Sequence, residues 1–133
     1  MSWTCPKCER ELLNERQTHY CAKVSLDSLF AGKPDELILI FDKLLAEVSD
    51  WEGVLIGTTP NCIVFTHRRT FLVIRPMKKE LDIQFYSTEH HPEKPFVKSV
   101  IYNRKYENHI RINRLDDLRP QLFAYIYESY RLL

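Results

Sequence analysis

The chain has 133 residues, 44% of them hydrophobic and 28% charged, with a formal net charge of +1. That is enough chain for one buried core plus a small appendage, in the composition of an ordinary soluble globular protein. No apolar run approaches a membrane span and the first residues lack a secretory apolar region, which argues against a membrane partner and against export. Three of the four cysteines fall within the first 21 residues, and Cys62 stands alone in an apolar stretch. This usage suits a reduced, cytoplasmic protein better than a disulfide scaffold, with Cys62 as a small buried hydrophobe.

In chain order, the first element is Trp3–Cys21, WTCPKCERELLNERQTHYC. It sets Cys5 and Cys8 in a CPKC knuckle and follows them with His19 and Cys21. Two thiolates two residues apart can reach one metal from a single tight turn, and Cys3His is a donor set of closed, tetrahedral zinc sites. The H-x-C spacing is too short for a DNA-reading Cys2His2 finger. Zinc binding contributes on the order of 10–16 kcal/mol in comparable peptides, which replaces the core so short a segment lacks. A redox CxxC, a disulfide and an iron site are the competing readings. Four protein ligands leave no open position for water, so the expected Zn2+ is structural. The expected division is a zinc knuckle over 1–23 and an α+β domain over 24–133. Trp3, Leu12, Leu13 and Tyr20 are many apolar groups for so small a unit, and Trp3 is expected to pack on the main domain near Phe30–Pro34.

Ser25-Leu26-Asp27-Ser28 predicts a short helix through Phe30, ended by Gly32. Pro34 then suits the first position of a second helix, whose stripe of Leu37, Phe41, Leu44, Leu45 and Val48 runs to about Asp50. From Gly53 the period changes to two. Strands are predicted at Val54–Thr58, Cys62–Thr66, Phe71–Arg75, Leu81–Phe85, Phe96–Tyr102 and His109–Ile112. A helical stretch from Pro120, after a one-turn prelude at Leu115–Leu118, places Leu118, Leu122, Ile126 and Tyr130 on one face. The expected fold is α+β: an antiparallel β-meander of five to six strands, packed with N- and C-terminal helices, plus the N-terminal zinc knuckle.

Several of these segments resemble a known family. Asn14-x-x-Gln17-x-His19-x-Cys21 after CPKC, then Phe30-Ala31-Gly32-Lys33-Pro34, Arg75-Pro76 and Asp116-Asp117-Leu118, are similar to the uncharacterised bacterial domain-of-unknown-function family 5655. The resemblance covers nearly the whole chain. It implies a compact α+β domain, sometimes joined to nuclease or other DNA-processing modules, with no established reaction. This chain departs from the family pattern where Arg114-Leu115 replaces a Ser-Pro helix start.

Charge is unevenly spread: residues 34–50 carry one Lys/Arg against five Asp/Glu, and residues 51–114 eleven against six. In a meander, His67-Arg68-Arg69 would lie beside His90-His91 and Lys94 at one sheet end, a candidate anion site. Lys78-Lys79 would lie beside Arg104-Lys105 at the other. Arg75, Asp82, Lys98, Tyr102, His109 and Arg111 could share a polar sheet face, which with aromatics suits single-stranded nucleic acid. Solvated turns and the exposed side of a one-sided sheet are the commoner explanation of both sets. No phosphate loop, nucleophile elbow or metalloprotease helix is present. The expected role is a zinc-containing, non-enzymatic binding or accessory module whose partner is nucleic acid or another protein. A nucleic-acid-binding accessory protein using the basic sheet is the first alternative. A small hydrolase or transferase, with a pocket lined by Asp82, His109 and Arg75, is the second.

Overall fold

A computed structural model describes residues 2–17 and 26–133. The knuckle opens with a two-stranded hairpin, β1 (Trp3–Thr4) and β2 (Glu11–Leu12), paired antiparallel. Helices α1 (Leu26–Phe30) and α2 (Asp35–Val48) follow, then strands β3 (Leu55–Thr58), β4 (Ile63–Thr66), β5 (Thr70–Pro76), β6 (Leu81–Ser87), β7 (Phe96–Tyr102) and β8 (Lys105–Ile112). A single 3-10 turn at Leu115–Asp117 leads into α3 (Pro120–Leu132). The elements match the sequence reading closely, with Pro120 in the first turn of α3, where its missing N–H costs nothing. The Ser-Pro start absent at Arg114-Leu115 is replaced from elsewhere: Glu36 of α2 accepts from the Leu115 N–H, and Asp117 from those of Asn113 and Arg114.

The sheet is six-stranded and antiparallel, but it is not a simple meander. Its order is β3-β4-β5-β6-β8-β7, so β8 lies between β6 and β7. Asn103 and Arg104, both at positive φ, close β7 and β8 into a two-residue hairpin. The chain leaving β6 at Ser87 must therefore travel back along the sheet to enter β7 at Phe96, level with Ile110 and Ile83. Polar groups fix this return. The fully buried Asn108 of β8 donates from Nδ2 to Ser87 Oγ at 2.9 Å and accepts from Ser99 Oγ at 2.6 Å. Ser99 Oγ accepts from the His91 N–H, and Ser87 Oγ donates to the Glu89 carbonyl. A buried amide satisfied in this way is stable, whereas an unpaired one is costly.

The helices cover one face of the sheet. Leu37, Ile40, Phe41, Leu44 and Val48 of α2 and Leu122, Ile126 and Tyr130 of α3 share one core with Phe65, Leu72, Ile74, Ile83, Phe85, Ile110 and Ile112. Ser129, buried in α3, donates to the Phe71 carbonyl at 2.7 Å and accepts from the Tyr86 N–H at 2.9 Å, bridging β5 to β6. The opposite face is largely open. At its β3 margin Arg10 lies over Gly57, where any Cβ would displace the Arg10 side chain from this contact. Trp3 packs on the knuckle's own cluster of Cys5, Cys8 and Leu12, and not on the Phe30–Pro34 turn as the sequence suggested. At the other margin β7 is the sheet edge and exposes Val97, Val100, Ile101 and Tyr102.

Ser129→Ala should remove the partner of two main-chain groups at once. A loss of about 1–3 kcal/mol in urea unfolding is expected, because unsatisfied buried groups retain their full desolvation cost. An unchanged midpoint would show that the hydroxyl bridge is dispensable.

Candidate functional site

The open sheet face carries the side chains that alternate with the core. Arg75 of β5 pairs across from Asp82 of β6, Asp82 from Arg111 of β8, and Lys98 of β7 from His109 of β8. Cross-strand partners share a face, so the register alone brings these residues together. They line a cavity of about 340 Å³ with Met77 and Val97. Of the residues anticipated for binding, Arg75, His109 and Arg111 meet here, along with Asp82 and Lys98.

His109 sits at the centre, its ring held on both sides. Nδ1 lies 2.8 Å from Asp82 Oδ2 and Nε2 lies 2.9 Å from Glu107 Oε1. A ring with a carboxylate at each nitrogen is stabilised as the imidazolium, which donates from both. The Asp82 bond raises the His109 pKa above the ordinary imidazole value; partial burial opposes this, and Glu107 adds to the rise. Asp82 is only 7% exposed. Burial works against its ionisation, but the hydrogen bond and charge of His109, with Arg111, outweigh it and hold its carboxyl below the usual range. Arg111 donates from Nε to Asp82 Oδ1 at 3.2 Å and lies 3.9 Å from Glu80. Arg75 and Lys98 have no ion-pair partner among the described residues, which leaves their charge available. Cys62 is half-buried beside this group; burial pushes its thiol up, against a Thr59 hydrogen bond and the nearby Arg75 charge.

Glu107 escaped the sequence reading because the strand was started at His109. The signal was present: Glu107, His109 and Arg111 alternate with Asn108, Ile110 and Ile112, the period of one strand.

The other anticipated cluster is not assembled. His67 is half-buried and stacks on Tyr130 at 4.4 Å, while Arg68 and Arg69 are exposed in the turn. His91 stacks on Phe96 at 4.3 Å and pairs with Glu93 at 3.0 Å, and His90 lies against Tyr106. The return from Ser87 to Phe96 carries Lys94 to the opposite sheet end from Arg68-Arg69. The same strand swap puts Arg104-Lys105 at the end of Arg68-Arg69, not beside Lys78-Lys79.

A hydrolase or transferase was expected to require a pocket lined by Asp82, His109 and Arg75. Such a pocket exists, and in it both His109 nitrogens lie within hydrogen-bond distance of a carboxylate.

Cys5 and Cys8 are both buried, 4% and 5% exposed, in a turn closed by the Glu9 N–H to the Cys5 carbonyl and the Cys5 N–H to the Arg10 carbonyl. The Arg10 guanidinium interacts electrostatically with Cys8. These two donors fit a thiolate-liking metal such as zinc. His19 and Cys21 lie outside the described residues. Among the described residues no three His, Cys, Asp or Glu side chains are grouped to hold a metal.

A two-layer α+β domain with a charged open sheet face thus defines the class. The chain belongs to the family described as Domain of unknown function (DUF5655), whose model matches residues 26–132. No curated protein and no solved structure matches it. Among the described residues no helix is long and apolar enough to cross a membrane.

The clamp predicts a pH dependence. A raised His109 pKa contributes stability that is fully present below the unfolded imidazole value and is lost as pH rises through the folded one. The lowered Asp82 pKa contributes above the unfolded carboxylate value and is lost as pH falls through the folded one. Stability from the pair is therefore greatest between those limits. In His109→Gln the loss on the alkaline side should disappear from urea midpoints measured against pH; parallel profiles for the two proteins would exclude the clamp.

Proposed function

We propose that the chain is a non-enzymatic binding module that takes an anionic group of its partner on the open sheet face, with a structural zinc knuckle at the far margin. The observation that carries this is the presence in one cavity of two cations with no ion pair among the described residues, Arg75 and Lys98, beside the paired Arg111, His109 and Asp82. Glu80 and Glu107 at its margin lie against Arg111 and His109, not against Arg75 or Lys98. Asp82 and Glu107 orient the imidazolium, while Arg75 and Lys98 are left to meet a ligand. A forked guanidinium and a mobile ammonium on a rigid sheet suit a phosphate or carboxylate.

Tripolyphosphate is a suitable probe. Its binding, followed by calorimetry, should weaken as salt is raised and fall about tenfold or more in Arg75→Gln with Lys98→Gln, the loss expected for hydrogen bonds to charged groups. Equal affinity in that double variant would remove this face from consideration.

A second reading, single-stranded nucleic acid, is favoured by one feature. Tyr102, 55% exposed, stands with Tyr86 at a ring separation of 6.4 Å on the same face as Lys98. Base stacking there adds affinity that tripolyphosphate lacks. A 12-nucleotide oligo(dT) that binds no tighter than tripolyphosphate, or is indifferent to Tyr102→Ala, excludes it.

For the knuckle, the proposed ligands are Cys5, Cys8, His19 and Cys21 around one Zn2+. Zinc would supply the local folding energy of a segment with a three-residue core of its own. Elemental analysis should find about one zinc per chain, and Cys5→Ser should lose it while residues 26–133 stay folded. A folded knuckle in metal-free protein would overturn the assignment.

A further inference from the structure

A second cavity lies on the helix-covered side of the sheet, at the end where β7 begins. β8 runs past the start of β7: Arg111 and Ile112 pair with β6 but have no partner on β7. The space that β7 would have filled is bounded instead by Lys94 and Pro95, at the end of the returning segment, and by the first turns of α3. The resulting cleft has a volume of about 400 Å³, within the range of small-molecule sites.

Its lining is divided by chemistry. The floor is apolar, made by Ile110, Ile112 and Leu122, all buried, with Tyr125 and Pro95 as walls. The rim is cationic. Lys94 and Arg119 are exposed there, and neither is in an ion pair among the described residues. Arg111 also borders the cleft, but Asp82 and Glu80 already engage its charge. The one carboxylate of the lining, Asp117, accepts the main-chain N–H groups of Asn113 and Arg114. An uncharged apolar molecule would leave the two rim cations unused, and a small inorganic anion would leave the floor wet. The charge of Asp117 in the wall disfavours a dianionic head beside it.

We propose that the cleft between the free end of β8 and the start of α3 is a binding site for a small amphipathic carboxylate. The aliphatic or aromatic body lies on Ile110, Ile112 and Leu122, and the carboxylate meets Lys94 and Arg119. The site is distinct from the open sheet face, with which it shares only Arg111, and does not depend on the reading given above for that face.

Sodium octanoate, added to the full chain and followed by amide NMR, tests this directly. Saturable shifts are expected at Arg111, Ile112, Gln121 and Leu122. 1-Octanol, with the same body and no charge, should bind about tenfold more weakly or worse, and so should octanoate to Lys94→Gln with Arg119→Gln. Both substituted side chains are exposed, and the spectrum itself reports that the variant is folded. Arg75→Gln with Lys98→Gln should leave octanoate binding unchanged. The proposal is overturned if octanoate gives no saturable shifts or shifts elsewhere. Equal binding of octanol, or indifference to the loss of Lys94 and Arg119, overturns it as well.

Discussion

The return of the chain from Ser87 to Phe96 is the constraint on which both cavities depend. Because it runs the length of the sheet, β7 is laid on the far side of β8, and β8 becomes an interior strand. Lys98 then stands opposite His109, completing the cationic face, and the late start of β7 leaves the end of β8 uncovered. What holds the return is one buried amide. Asn108 engages a serine on each neighbouring strand, and those serines bind the main chain of the returning segment. An apolar residue at 108 would leave both hydroxyls seeking partners in a dry core, where polar networks are worth most when complete.

On the open face the same economy of pairing sets the charge. Burial works against an ionised Asp82, and the two carboxylates beside His109 favour its charged form. Each stabilises the charged form of the other, and Arg111 adds to the effect. The result is a rigid platform in which the central charges are neutralised and oriented while Arg75 and Lys98 at its sides are not. Their fields act over about a Debye length, roughly 8 Å at physiological ionic strength, which is the scale of the cavity itself. The knuckle stands at the other margin, with Arg10 over Gly57.

Local structure was legible because each segment's period agrees with its fate. Leu37, Phe41, Leu44 and Val48 recur at helical spacing and are buried; Leu81, Ile83 and Phe85 alternate and face the helices. Strand order was not legible. Phe96–Tyr102 is the more apolar of the last two strands, which would place it inside, yet it lies at the edge. The polar Asn108 of the other strand decides the order through hydrogen bonds that no hydropathy pattern encodes. That single exchange displaced Lys94 from Arg68-Arg69 and dissolved the anion cluster expected there. The grouping of Arg75, Asp82, Lys98, His109 and Arg111 survived because it requires only that strand residues of one parity share a face. Glu107 was missed with the true start of its strand, and His67 was misjudged because a ring beside two arginines in a turn gave no sign of Tyr130.

The two margins of the sheet differ in what they offer to another chain. At β3 a four-residue strand has the knuckle against it, while at β7 seven residues present main-chain groups and the apolar side chains of Val97, Val100, Ile101 and Tyr102. A sheet that can be extended from both sides grows into a fibre; one that can be extended from one side only closes on itself. A second copy paired antiparallel on β7 would be related to the first by a two-fold axis and would use up the strand that made the pairing possible. The asymmetry of the margins thus bears on assembly: an edge of seven residues with apolar side chains offers a longer template than one of four.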